Sequence, residues 1–121
     1  LSRLLAQVEV AFTPLCRQGD QPVWTEEMIG YQRRVISPAI LPLRAEIVEC
    51  TLRADMEITY AAPSVPGQEH HLILQKGALD IWIDADQYHL MPGDCLRYHL
   101  FGASRFKTPT DTGATYLLVL L

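Results

Sequence analysis

Basic residues and long apolar stretches are both scarce in this 121-residue chain. Ten Lys and Arg side chains stand against 14 Asp and Glu, giving a net charge of −4. The basic face that nucleic-acid-binding modules usually present is therefore missing. No apolar run is long enough to span a bilayer, and no charged-then-apolar leader indicates secretion. We expect a protein that neither crosses a membrane nor binds DNA through this chain.

Cysteine is also scarce and is not paired in motifs. Cys16, Cys50 and Cys95 are odd in number and widely spaced, and no C-x-x-C occurs. Thioredoxin-like and zinc-ribbon motifs are therefore excluded. No basic or helix-start context marks any of the three as a reactive thiol. Three reduced cysteines are typical of a cytoplasmic protein, which is the localisation we expect.

The composition is that of one packed domain. Hydrophobic residues make up 49% of the chain and charged residues 20%, which suits a folded core at this length. Residues 1–12 repeat apolar side chains at helical spacing, and Thr13-Pro14 would end such a helix. The sequence begins at Leu1 rather than Met. We therefore expect residues 1–14 to be a linker helix from an upstream domain, followed by a domain over residues 15–121 that begins with extra strands.

Beyond residue 14 the chain is divided by Gly, Pro and Asp into short segments rich in β-formers. Residues 46–52 and 79–83 alternate in the pattern of half-buried strands, with Leu79, Ile81 and Ile83 on one face. Further strands are predicted at residues 31–36, 56–61, 71–75, 88–90, 95–99, 105–107 and 115–121. Many short strands at regular spacing predict an all-β sandwich or closed barrel.

Two motifs carry a resemblance to a known family. The strand in residues 66–77 ends at Gly77, a hairpin follows, and Pro92-Gly93-Asp94 forms a tight turn. Gly77 allows a turn without a Cβ clash, Pro92 and Gly93 suit turn positions, and Asp94 can accept hydrogen bonds from the turn amides. At this spacing, residues from about 56 to 121 resemble the cupins. The resemblance implies a double-stranded β-helix barrel, here with a short N-terminal helix.

The same resemblance implies where a metal would be bound. Metal-binding cupins use two histidines and a glutamate from the first motif and a histidine from the second. Those positions fall on Ser64, Pro66, His70 and Ser104. A transition-metal site needs three or four converging N or O donors. Only His70 qualifies, so we expect no metal and no other cofactor.

Strand alternation separates the four histidines. His70 would enter the barrel, whereas His71, His89 and His99 would point outward. His70 is then either a hydrogen-bonded core residue or a ligand contact, and the pattern leaves both open.

Inward-facing positions predict a small-molecule pocket, because apolar and aromatic side chains with a few polar tips are its usual lining. The candidate ligand-binding residues are Tyr60, His70, Leu72, Leu74, Tyr98, Ser104, Phe106 and Tyr116. The alternative is that these side chains fill the barrel completely.

The order of helix, extra strands and the two motifs is similar to the C-terminal sensor half of Xre-type helix-turn-helix regulators. That resemblance is an analogy of fold. It implies a metal-free domain of a bacterial transcriptional regulator that senses an unknown small-molecule effector and forms a homodimer. DNA would be bound only by an upstream domain absent from this chain. Trp82 would be a second-layer contact or part of a dimer patch. We therefore expect that the chain is not an enzyme, with a small isomerase or dioxygenase, or a purely structural dimerisation module, as the alternatives.

Overall fold

The computed structural model describes residues 13–121, and β-strands account for most of the regular structure in this range. Its helical segments are two short 3-10 turns, Gln18–Asp20 and Glu27–Ile29. The helix that the sequence predicts falls on residues 1–12, outside the described residues, and residues 13 and 14 are not helical. No helix in the described part of the chain has the length and hydrophobicity needed to cross a membrane.

Within residues 13–121, ten strands form two antiparallel sheets. In chain order they are β1 (Val23–Glu26), β2 (Tyr31–Ser37), β3 (Glu46–Leu52), β4 (Glu57–Tyr60), β5 (Gln68–Gly77), β6 (Leu79–Ile83), β7 (Asp86–Leu90), β8 (Cys95–Leu100), β9 (Ser104–Lys107) and β10 (Ala114–Leu120). The larger sheet has the order β1-β2-β3-β10-β5-β8, and the smaller sheet has the order β4-β9-β6-β7. The prediction of an all-β double-stranded β-helix is confirmed.

Strand β1 is the element that the sequence analysis missed. Among the described strands it lies at the edge of the larger sheet and pairs with β2 alone. Its apolar residues Val23 and Trp24 are both more than half exposed. An edge strand that buries neither face shows no alternation of apolar and polar side chains, so periodicity does not reveal it.

The core lies between the two sheets, where alternating side chains of each strand meet. On β6, Leu79, Ile81 and Ile83 are buried, as predicted, whereas Asp80 and Trp82 are half-buried on the other face. The largest fully buried apolar side chains are Val48, Leu52, Leu72, Leu74, Leu79 and Ile81.

The Pro-Gly-Asp turn joins β7 to β8 and is fastened to β5. The Met91 amide donates to Asp94 Oδ2 at 2.8 Å. The Gly93 amide donates to the Leu74 carbonyl at 2.8 Å, and the Leu74 amide donates to the Asp94 carbonyl at 3.0 Å. The aspartate therefore accepts a hydrogen bond from the turn backbone, as the sequence predicts, and the turn fixes where β8 begins to pair with β5.

We predict that Gly77→Ala destabilises the protein at least twice as much as Gly93→Ala. Both glycines have positive φ, 83° and 95°, where a side chain costs about 1–3 kcal/mol. A Cβ at Gly77 would lie only 1.7 Å from the Gly113 carbonyl oxygen, whereas nothing lies within 4 Å of one at Gly93. The Gly113 carbonyl accepts a hydrogen bond from Ala78 and cannot move without losing it. Urea unfolding of the two variants provides the measurement, and equal destabilisation would contradict the prediction.

Candidate functional site

A cavity of about 340 Å³ opens between the two sheets. Its size is within the range of small-molecule sites. Residues from the β2–β3 loop (Ala39) and the β4–β5 loop (Ala62 to Val65) contribute to its lining. The barrel is therefore not filled, and the filled-barrel alternative is wrong.

Both sheets contribute strand residues to the cavity wall. The smaller sheet provides Tyr60, Ser104 and Phe106. The larger sheet provides Tyr31, Arg33, Glu46, Cys50, Gln68, His70, Tyr98, Leu100, Tyr116, Leu118 and Leu120. Pairing of β10 with both β3 and β5 brings these residues together, because it sets Tyr116 beside Cys50 and Leu120 beside His70.

Six of the eight residues predicted to bind a ligand lie on this cavity: Tyr60, His70, Tyr98, Ser104, Phe106 and Tyr116. The structure thus brings them together, and their contact with a ligand stays a prediction. Leu72 and Leu74 do not line the cavity. They share the inward face of β5 with His70 but are completely buried in the core. Alternation predicts which face of a strand a side chain lies on, but not whether its position along the strand falls in the core or at the cavity. It therefore could not distinguish these leucines from His70.

Among the lining residues that the sequence analysis did not name, four lie on β2 and β3: Tyr31, Arg33, Glu46 and Cys50. The sequence pattern could have identified two of them, because alternation on β3 places Glu46 and Cys50 on the same face as the buried Val48. The position of β2 beside β3 had no comparable signal. That pairing brings Tyr31 and Arg33 to the cavity.

His70 is the most unusual polar side chain of the site. It is 9% exposed, and both ring nitrogens are buried without a hydrogen-bond partner. Its ring lies 5.1 Å from that of Tyr98, its register partner on β8, at an angle of 30°. Burial lowers the pKa of the His70 imidazole, which favours the neutral ring. The His70 side chain therefore borders the cavity with neither ring nitrogen hydrogen-bonded to the described part of the chain, and its contact with a ligand stays a prediction.

Aromatic and thiol side chains form a further part of the cavity wall. Phe106 stacks on Tyr116 with ring centroids 5.9 Å apart, and Tyr60 meets Phe106 edge-on at the same distance. The Tyr31 hydroxyl and Cys50 Sγ lie 3.3 Å apart, within hydrogen-bond distance. Burial raises the pKa of the Tyr31 and Tyr116 hydroxyls and of the Cys50 thiol. The interior thus favours the uncharged form of each group.

Arg33 and Glu46 are the charged side chains of the lining within residues 13–121. They form an ion pair with an N···O distance of 3.3 Å, and their side chains are 39% and 28% exposed. The two charges offset each other where the pair meets solvent. A pair this exposed contributes little to stability, but it determines how much net charge a bound molecule meets.

The cupin metal positions do not fit a metal in this chain. Ser64, His70 and Ser104 lie on the cavity, whereas Pro66 does not. In the described part of the chain, no three His, Cys, Asp or Glu side chains converge in a way that could hold a metal ion. The other histidines lie away from the cavity lining, as predicted, with His71 and His89 paired to Glu69 and Asp80.

Comparison with known proteins establishes the fold. No protein-family model matches the chain, and no curated protein matches it. Among solved structures, it is similar to the cupin_2 domain of an XRE-family transcriptional regulator from Enterobacter cloacae. That likeness has a TM-score of 0.68 at 14% identity and covers 74% of this chain and 94% of the other.

Two further solved structures show the range of proteins with this fold. An HTH_3-family transcriptional regulator from Vibrio cholerae has a TM-score of 0.66 at 14% identity, with 74% of this chain and 49% of that chain covered. The polyketide cyclase RemF from Streptomyces resistomycificus has a TM-score of 0.68 at 13% identity, with 90% of this chain and 79% of that chain covered. The chain therefore has a double-stranded β-helix, and specifically the cupin fold.

These likenesses correct one expectation. The prediction that the chain is not an enzyme is wrong as an exclusion, because an enzyme matches the chain as well as the regulator domain does. The prediction relied on missing metal ligands, and a metal is not the only route to catalysis. A buried neutral imidazole can itself transfer a proton.

We predict that acid destabilises the wild-type protein more than the His70→Phe variant. The folded state lowers the pKa of His70, so below about pH 6.5, the ordinary value, the unfolded chain binds the proton more readily. Stability linked to His70 is therefore present above pH 6.5 and is lost as the pH falls towards the lowered pKa. Urea unfolding at pH 7.5 and pH 5.0 measures the difference. His99→Phe, which removes an exposed imidazole, is the control and should retain the wild-type response.

Proposed function

We propose that this chain is the small-molecule-sensing and dimerising domain of a bacterial transcriptional regulator, acting in the cytoplasm with its effector bound in the barrel cavity. The observation that carries the proposal is the cavity of about 340 Å³, which is lined by His70, a residue whose two ring nitrogens are buried without a hydrogen-bond partner. A buried polar group without a partner costs about 1–3 kcal/mol. A ligand that satisfies it recovers part of that cost on binding.

The similar solved structures support the regulatory part of the proposal. The Enterobacter and Vibrio proteins are described as transcriptional regulators or as a domain of one, and this chain covers about half of the Vibrio protein. DNA binding would then belong to an upstream domain. The net charge of −4 agrees with this division, since it offers little counterion release to a duplex.

The proposed mechanism is a shift between two arrangements of paired domains. Loops 38–45 and 61–67 carry cavity residues, so an effector bound inside contacts segments at the surface as well as the core. An effector that binds one arrangement more tightly moves the population towards it by no more than that difference in affinity. The DNA-binding domains would change their separation accordingly.

A metal-free enzyme is the second candidate, and one observation favours it. His70 is neutral, unpaired and beside Tyr98, which gives the cavity a proton acceptor for acid–base chemistry on a bound molecule. The two candidates differ in the fate of the ligand. A sensor returns its ligand unchanged, whereas an isomerase or cyclase converts it, and mass spectrometry of the recovered ligand distinguishes them.

We predict that a metabolite-library thermal screen yields ligands that stabilise the wild-type protein but not the Ser104→Trp variant. Ser104 is 4% exposed and lines the cavity, so an indole there occupies the ligand's space. A ligand at about 100 times its Kd adds roughly 2.7 kcal/mol, a shift on the order of ten degrees for a domain of this size.

The control for this screen is Thr51→Trp, which adds an indole at an exposed position on β3. It should retain the thermal shift in full. Overpacking at Ser104 costs about 1–3 kcal/mol, so each shift is measured from the ligand-free melting temperature of the same variant. Ligands that stabilise Ser104→Trp and wild type equally would place the binding site elsewhere and contradict the proposal.

We predict a symmetric dimer, because operators are usually recognised by two-fold pairs. Trp82 and its strand face remain the proposed contact. The Trp82 ring is half-buried under Arg105, whose guanidinium carbon lies 3.8 Å from the ring centroid. Light scattering should give twice the 13.6 kDa of one chain, and Trp82→Ala should lower the mass. A wild-type monomer at about 0.1 mM would remove this support for a regulator.

A further inference from the structure

Part of the wall of the cavity between the two sheets is aromatic. Five aromatic side chains and one imidazole line it: Tyr31, Tyr60, His70, Tyr98, Phe106 and Tyr116. Phe106 and Tyr116 are nearly parallel, at 14° to each other, and the His70 and Tyr98 rings are tilted by 30°. Aromatic rings prefer offset-stacked and edge-to-face contacts with other rings. A planar ring is thus the shape that this wall accommodates best.

Charge on the ligand is disfavoured by the same wall. Every strongly buried titratable group here is held in its neutral form, since burial raises the pKa of Tyr31, Tyr98, Tyr116 and Cys50 and lowers that of His70. Transfer of an ionised group into such surroundings is costly unless an opposite charge meets it.

The ion pair at the cavity does not meet that need. Arg33 is paired with Glu46 at 3.3 Å. A ligand carboxylate that approached Arg33 would also approach the Glu46 carboxylate, and a ligand ammonium near Glu46 would approach Arg33. Neither a ligand anion nor a ligand cation would have a partner of its own here. An uncharged molecule therefore has the smallest desolvation penalty when it enters the cavity.

His70 adds a polar requirement that a bound molecule has to meet. Its two ring nitrogens are buried and unpaired, and a neutral imidazole has one donor and one acceptor. A hydroxyl group both donates and accepts, so it can bond to His70 in either tautomer. An ether oxygen at the same place could only accept.

We propose that the cavity selects an uncharged aromatic molecule that carries a hydroxyl group, with its ring packed against Tyr98, Phe106 and Tyr116 and its hydroxyl hydrogen-bonded to His70. The inference rests on the proposed function, because it names the ligand class of the same cavity. It applies equally to a sensed effector and to a substrate.

Four probes with one ring system test the ligand class at pH 7.5. They are 2-naphthol, 2-methoxynaphthalene, naphthalene-2-carboxylate and 2-(aminomethyl)naphthalene, and their affinities are measured by calorimetry or by ligand fluorescence. We expect 2-naphthol to bind at least tenfold more tightly than the anion and the cation. It should also bind more tightly than the methoxy compound, which keeps the ring but cannot donate a hydrogen bond.

The role of His70 is tested with His70→Phe and His70→Asn. The phenylalanine variant keeps a ring in the wall and removes the unpaired nitrogens, so 2-naphthol should bind it no better than 2-methoxynaphthalene does. The asparagine variant keeps a donor and an acceptor and should recover part of the difference. His99→Phe, at an exposed position, should leave the affinity for 2-naphthol unchanged.

Three results would overturn the inference: tighter binding of the anion or the cation than of 2-naphthol, equal binding of 2-naphthol to wild type and His70→Phe, or no saturable binding of 2-naphthol. These outcomes are distinguishable from failure of the proposed function. If charged library ligands lose their stabilising effect in Ser104→Trp while 2-naphthol does not bind, the cavity remains the binding site and only the ligand class is wrong. If Ser104→Trp affects no ligand, the proposed function fails.

Discussion

The position of β10 between β3 and β5 is the constraint on which the site depends. The last strand of the chain pairs with both neighbours over its whole length. This sets Tyr116 beside Cys50 on one side and Leu120 beside His70 on the other. Without that double pairing, the inward faces of β3 and β5 would not share a cavity. The site is therefore a product of long-range pairing, and loss of β10 would remove it entirely.

The packed core and the cavity are lined by the same alternating face of each strand, but they differ in the side chains that this face carries. On β5, Leu72 and Leu74 are fully buried in the core, whereas His70, two residues earlier on the same face, lies at the cavity. Apolar side chains fill the barrel where they can pack on all sides. At His70 the apolar packing stops, and two ring nitrogens are left without a hydrogen-bond partner. Such a buried polar group calls for an explanation, and a bound ligand that hydrogen-bonds to it is the one proposed here. The change from leucine to histidine along one strand marks the boundary between core and site.

Much of the fold could be predicted from the sequence, because local chemistry encodes it. Gly77 and the Pro92-Gly93-Asp94 turn have backbone requirements that few other residues meet, and alternation on β6 gives its buried face directly. The site could be predicted only in part. Alternation identified His70 as inward. It could not show that Leu72 and Leu74 lie in the core beyond the cavity, nor that Tyr31 and Arg33 lie on the cavity wall, because neither is a local property of the sequence. Both depend on strand order and register, which a single sequence does not show.

Three of the four cupin metal positions carry no metal-ligating side chain, and this changes what the barrel can select. A metal centre would bind ligands through charge and coordination, whereas this wall discriminates by shape, by ring contacts and by the hydrogen bonds of its polar side chains, His70 among them. Ring packing alone distinguishes similar ligands weakly, since one methylene in an apolar pocket is worth about 1–3 kcal/mol. A buried polar group discriminates more sharply, because a ligand that lacks the matching hydroxyl leaves it unpaired. If the proposed ligand class is right, specificity at this site depends chiefly on His70, and affinity chiefly on the surrounding rings.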